Sequence, residues 1–240
     1  MIYHLSSTTS TNDDAKDLCY VDGDIVWADF QTAGRGQRGH SWESREGENL
    51  TFSVVLEPSF LPVAQQFLLL EAVSLSLVDF FDSYGIRPSI KWTNDIYVDD
   101  RKLVGILIEH LYTGATLSRT IVGIGINVNQ REFSPDLPNP VSMALLTGRE
   151  FDLAEVLSRF EGALQRRYAQ LRSGEWDRLQ ADYHARLYRR DEWHRFALPD
   201  GSRFEGAIRG VKPMGDLIIE HRNGEVKSFL FKEVEFIIAE

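Results

Sequence analysis

The residues of this chain with the means to do chemistry sit in three short stretches. In "QTAGRGQRGHSW" (Gln31 to Trp42), Gly34, Gly36 and Gly39 alternate with Arg35 and Arg38. Glycine lets a backbone come close to a ligand, and arginine supplies positive charge where a phosphate or carboxylate would lie. "IKWTNDIYVDDRKLVGILIE" (Ile90 to Glu109) puts Lys91, Trp92, Asn94 and Asp95 at the end of one expected strand. Lys102 opens the next, across a hairpin turn at Asp99-Asp100-Arg101. "VGIGINVN" (Val122 to Asn129) reads as a strand with Gly123 and Gly125 inside it and a polar Asn127 among apolar neighbours. Glycine weakens a strand unless something packs closely there.

Each stretch also has an ordinary reading. The glycine run matches G-x-G-x-x-G, but a dinucleotide fingerprint needs a helix directly after it, and here "ESREGENLTFSVVL" leads into a strand. No H-R-D, D-F-G or G-K-[ST] accompanies it, which removes the kinase and P-loop readings. What remains is a strand-to-strand loop, either a ligand cradle or a solvated hairpin connection. A lone lysine is ordinarily a surface charge, Asn94-Asp95 an Asx turn, and the glycines of "VGIGINVN" a bulge beside a satisfied asparagine. "STTSTND" (Ser7 to Asp13) offers hydroxyls at a helix start, where Thr11 with Asp14 would cap the helix.

The elements that must position these residues follow from periodicity. Short β-rich runs, "DIVWADF", "NLTFSVVL", "SIKWTNDIYV", "KLVGILIEHL" and "RTIVGIGINVN", alternate with helical patterns. An α+β fold, a mixed sheet backed by helices, is expected. "FLLLEAVSLSLVDFF" (Phe67 to Phe81), interrupted by Glu71 and Asp79, reads as a buried helix too short to cross a bilayer. Asp152 with Glu155 opens a helix that should end near Ser173-Gly174, and a second should run from Trp176 to Leu187. From Glu192 the texture changes to short strands with turn signals "PDGS", "PMGD" and "RNGE", the pattern of a small antiparallel barrel. The expected units are therefore residues 1–189 and 190–240.

Composition excludes more than it selects. With 240 residues, 43% of them apolar, the chain can bury one sizeable core. A net charge of −10 argues against wholesale nucleic-acid binding, so any basic site must be local. The lone Cys19 and a start, "MIYHLSSTTSTND", without basic or apolar runs point to a reducing cytoplasm.

Taken together, S-T-N, Q-x-A-G-R-G-x-x-G-x-x-W, K-W-x-N-D-[IL], R-K-L-x-G-I-L and G-I-G-I-N resemble the biotin protein ligase family, over about residues 8–130. The final barrel fits that family's C-terminal SH3-like domain. The resemblance implies a synthetase-like ligase fold with ATP and biotin as substrates and Mg²⁺ as cofactor. Biotin would be held by Ser10, Thr11, Asn12, Gln31, Gly34, Arg35, Gly36, Gln37, Lys102 and Gly105. ATP would meet Arg38, Gly39, Trp42, Lys91, Asn94 and Asn127. Lys102, Lys91, Arg35 and Asp95 would carry the catalysis, with Asp95 also at the metal. This sequence departs from the family pattern at Gln37 and His40, where arginine is common, and at Thr93, where proline is common.

The acceptor implied is a lysine of a biotin carboxyl carrier protein domain, met by a monomer or homodimer. Both partners being acidic, docking should rest on local strand pairing. No DNA partner is expected, because the ligase motifs begin at Ser10, and no membrane partner, because the most apolar stretch reads as too short to cross a bilayer. Lipoate–protein ligase and a non-catalytic biotin sensor remain alternatives.

Overall fold

A computed structural model describes residues 1–238 of the chain, with Arg38 described by its backbone alone. The strands and helices in order are β1 (Ile2–Thr8), α1 (Thr11–Asp14), β2 (Ile25–Gln31), β3 (Leu50–Leu56), α2 (Phe67–Asp82), β4 (Ser89–Lys91), β5 (Asp95–Val98), β6 (Arg101–Thr113), β7 (Thr116–Ile126), α3 (Met143–Thr147), α4 (Leu153–Arg172) and α5 (Trp176–Ala185). Then come β8 (Trp193–Ala197), β9 (Arg203–Val211), β10 (Leu217–His221), β11 (Val226–Phe229) and β12 (Glu235–Phe236).

The first seven strands form one sheet in the order β1-β2-β3-β7-β6-β5-β4. β1 runs parallel to β2 and the other neighbours are antiparallel, which makes the sheet mixed as expected. Alternation along the strands sorts its two faces. Phe52 and Val54 of β3, Val104 and Ile106 of β6, and Val122 and Ile124 of β7 turn into the main core with α2, α4 and α5. Thr51, Ser53, Gly105, Gly123 and Gly125 fall on the other face, which α2, α4 and α5 leave uncovered and only the short α1 meets.

α2 is buried almost all round, as its unbroken apolar run requires. Together with the short turn Val63–Gln65, the helical stretch Val63–Asp82 is 20 residues long, enough by length and composition to cross a bilayer, so the expectation that it is too short is corrected. It is packed instead inside the core. Glu71 within it is 1% exposed, and burial pushes its carboxyl up to about 8, so it stays protonated at neutral pH. α4 starts as the sequence implies: Asp152 Oδ1 accepts the Glu155 N–H at 2.8 Å, and Gly174 follows with φ of 81°. α5 ends at Ala185, two residues short of Leu187.

The last five strands make an antiparallel sheet, β11-β10-β9-β8-β12, consistent with a small SH3-like barrel. Each expected turn closes with a glycine at positive φ: Gly201, Gly215 and Gly224. One buried apolar cluster runs from the large sheet into this small one.

Three local readings are corrected. "SIKWTNDIYV" is two strands, because Asn94 turns the chain: it donates Nδ2–H to the Ile106 carbonyl and accepts from Thr93 Oγ1, setting Lys91 opposite Asp95. No bulge lies at Gly123 or Gly125; the irregularity between β6 and β7 falls at Leu111 and Tyr112. Thr11 does not cap α1 with Asp14. Ser10 holds the cap position without a side-chain bond, and Gln31 Oε1 on β2 accepts the Thr11 N–H at 2.8 Å. Strand β1 and helix α3 carry patterns too short to stand out in the sequence.

Candidate active site

The open face of the sheet forms the floor of a cleft of about 210 Å³. Its roof is the glycine stretch, a small hairpin: Trp42 N–H donates to the Gly34 carbonyl, Gly36 N–H to that of His40, and Gln37–Gly39 forms a tight turn at the tip. Gly34 is needed where the two arms cross, since a Cβ there would collide with the Trp42 carbonyl. Gly39 turns the tip at φ of 89°.

The strand glycines have a reason too. Gly105 and Gly125 are cross-strand partners, and Trp42 lies on them. A Cβ on Gly105 would come within 2.8 Å of the indole, and one on Gly125 would overlap it. A Cβ on Gly123 would reach 2.9 Å from Asn12 Cγ. The glycines therefore lower the floor so that two side chains can lie against it.

One end of the cleft is uncharged. Ser10, Thr11 and Asn12, all 3% exposed, come from the start of α1, and Gln31 comes from the end of β2. Ser53 Oγ lies 2.6 Å from Asn12 Oδ1 and 2.8 Å from Thr11 Oγ1, while Gln31 Oε1 accepts from Thr11. Buried polar groups here are satisfied by one another.

The other end carries charge. Lys102 Nζ lies 2.7 Å from Asp95 Oδ1 and 5.8 Å from the Trp42 ring centre. Lys91 Nζ sits between the rings of Tyr97 and Phe236, 5.3 Å and 4.8 Å from their centres. Burial lowers the Lys91 pKa, and the neighbouring Asp95 opposes that shift. The small sheet reaches this end as well. Phe231 lines the cleft, and Trp92 Nε1–H donates to the Gly215 carbonyl at 2.8 Å.

Of the residues expected from the sequence, Ser10, Thr11, Asn12, Gln31, Arg35, Gly36, Gln37, Trp42, Lys91, Asn94, Asp95, Lys102 and Gly105 line this cleft. Gly34 and Gly39 line a second, more open cleft, together with Leu107 and Glu109 of β6. Arg35 lines both, with its guanidinium 2.7 Å from Asp13 and 3.1 Å from Glu109. The Arg38 side chain lies outside what is described. Asn127 does not line the cleft: it is buried, donating to the Val141 carbonyl at 3.1 Å. Asp95 is the expected metal residue, and among the described residues no three His, Cys, Asp or Glu side chains converge as a metal cluster. Such a site does not suit a resident ion. It suits one that arrives on a nucleotide, because Mg²⁺ is commonly held by one or two carboxylates plus substrate phosphates.

Ser53, His40 and Phe231 were missed. The polar Ser53 inside "NLTFSVVL" was a signal; Phe231, far along the chain, had none.

The cleft thus joins a neutral hydrogen-bonding end to a cationic one under a glycine hairpin, and the protein is a ligase. The chain belongs to the biotin/lipoate A/B protein ligase family, whose pattern matches residues 2–127. It is 30% identical over 250 residues to the bifunctional ligase/repressor BirA of Bacillus subtilis, a match covering 98% of this chain and 73% of that one. It is 31% identical over 230 residues to the biotin–[acetyl-CoA-carboxylase] ligase of Paracoccus denitrificans, covering 90% and 92%. Among solved structures, biotin protein ligase from Aquifex aeolicus in complex with biotin and ATP superposes with a TM-score of 0.82 at 27% identity, covering 98% of this chain and 97% of that one.

Proposed function

We propose that this enzyme activates biotin with ATP as biotinyl-5'-AMP and then passes the biotinyl group to a lysine of a biotin carboxyl carrier protein domain. The observation that carries the reading is the division of the cleft. A ureido ring needs donors and acceptors without charge, which Ser10, Thr11, Asn12 and Gln31 offer. A carboxylate and a triphosphate need cations, which lie at the far end.

In the first step a biotin carboxylate oxygen attacks the α-phosphorus, and the bond to the β-phosphate oxygen breaks, releasing pyrophosphate. Two anions must meet, so Lys102 and Lys91 offset their repulsion and stabilise charge growing on the phosphoryl oxygens. Asp95 would hold a Mg²⁺ brought in with ATP, and that ion would neutralise phosphate charge. Lys102 must exchange its Asp95 partner for substrate, a short swing for an ammonium on a flexible stem. In the second step the acceptor amine attacks the acyl carbon, AMP departs and the amine loses a proton. The hairpin roof keeps water from the mixed anhydride meanwhile.

The family also contains lipoate ligases. Lipoate has no ureido group to pair with the row of polar side chains, which favours biotin. The test is mass spectrometry of a carrier domain after incubation with ATP and either acid. A mass gain of one biotinyl group with pyrophosphate release supports the reading. Binding of biotin without pyrophosphate would make the protein a sensor, and modification with lipoate alone would make it a lipoate ligase.

A further inference from the structure

Glu109 stands on β6 beside the cleft and faces three donors. Its Oε2 accepts from Asn12 Nδ2–H at 2.8 Å and from Arg35 at 3.1 Å, and its Oε1 from Lys16 at 3.1 Å. Asp13 shares the last two partners, accepting from Arg35 at 2.7 Å and from Lys16 at 3.0 Å. One carboxylate thus touches helix α1 and the glycine hairpin together.

The bond to Asn12 has a directional consequence. An amide fills its two ends with opposite roles, so a carboxylate at Nδ2 turns Oδ1 towards Ser53. Oδ1 only accepts, and at 2.6 Å it takes the single proton of the Ser53 hydroxyl. Thr11 Oγ1 must then donate its own proton, to Ser53 or to Gln31. The orientation of the Asn12 amide, and with it the donor role of Ser53, follows from the acceptor on Glu109, while the Thr11 backbone N–H sets Gln31. Without Glu109, Nδ2 keeps only the Leu107 carbonyl at 3.5 Å, too long a bond to hold the amide against turning over.

We propose that Glu109 is a positioning residue for the reaction: it orients the polar row at the neutral end of the cleft and, through Arg35, latches the glycine hairpin over that end. The proposal rests on the biotin ligase reading, since it names the ligand that the row would meet. Loop closure and pocket polarity are then linked through one side chain. Arg35 is thereby directed to acidic partners on α1 and β6, and its part in the cycle is to hold the roof.

The experiment compares Glu109→Ala, Glu109→Gln and the parent protein. Biotin affinity is measured by calorimetry, and amide exchange of residues 33–42 is followed without ligand. Alanine leaves the buried Asn12 donor only the distant Leu107 carbonyl and should weaken biotin binding roughly tenfold, with faster exchange across the hairpin. Glutamine keeps an acceptor for Asn12 but no charge for Arg35. It should recover most of the biotin affinity while exchange stays fast, a split that a merely structural loss would not produce. Arg35→Ala, which also removes the contact to Asp13, should give exchange at least as fast, and Glu109→Ala should add nothing to it in the double variant. Unchanged exchange and unchanged affinity in Glu109→Ala would overturn the proposal, as would equal losses in the alanine and glutamine variants. If the parent protein itself failed to bind biotin, the ligase reading would fall, while the ligand-free exchange would still decide the latch.

Discussion

The neutral and charged ends of the cleft are built in opposite ways. At the neutral end Thr11, Asn12, Gln31 and Ser53 bond to one another, so their orientation is set by the protein itself. At the charged end Lys102 is held by Asp95, and Lys91 is covered by Tyr97 and by Phe236 of the small sheet. Those contacts must rearrange for a phosphate to be met. The difference teaches that hydrogen-bond readers can be assembled by near neighbours and preorganised, whereas cations waiting for an anion need temporary partners. An unpaired buried ammonium is costly.

The largest effect should come from removing charge. Lys102→Ala is expected to lower pyrophosphate release by on the order of 10²–10³. Its fold should hold, because the side chain is 32% exposed and lies outside the apolar core. Near-parental release would mean that the charged end is not the reacting end, and the comparison would break there.

A second change strikes the floor of the neutral end. In Gly123→Ala the new methyl meets Asn12 where the amide has no room to retreat, being bonded to Ser53 and Glu109. Overpacking of this kind costs about 1–3 kcal/mol, so biotin should bind roughly ten- to a hundredfold more weakly. ATP binding measured by itself should change little. Equal losses for both ligands would show that the two ends are not separable.

The smallest effect is a pH dependence confined to one end. Burial lowers the Lys91 pKa, so its charge is present below that depressed value and is lost as pH rises through it, sooner than for an ordinary lysine. Adenylate formation should therefore decline severalfold on the alkaline side while biotin affinity holds steady. Lys91→Arg should shift or remove that decline, because a guanidinium keeps its charge. An alkaline limb that is identical in the arginine variant would place its origin elsewhere.

Much of this site was legible in the residues. Thirteen of the residues expected at the site line the cleft, because each motif is a local cluster of polar or glycine residues and local clusters keep their spacing. The pairing of Gly105 with Gly125 was not legible, nor was the indole that explains both. Cross-strand register depends on where hairpins turn, and the turn at Trp92-Thr93-Asn94 was hidden inside what reads as one strand. Asn127 shows the reverse case. Its motif suggests a ligand contact, yet its amide is bonded to the backbone of the segment before α3.

Sequence alone determined the alternation that sorts β3, β6 and β7 into a core face and an open face. It also determined the apolar helix behind them, the glycine turns of the small sheet, and which side chains carry charge. These are properties of neighbours along the chain, set by side-chain period and backbone sterics. Tertiary structure decided what those charges do. It alone brought Glu109 within reach of Asn12 and Arg35, set Phe236 over Lys91, and put Phe231 at the cleft from more than a hundred residues away. Such contacts form only once the core has closed, because the entropy lost in joining distant segments is offset by the apolar surface they bury together, and no local pattern records that balance.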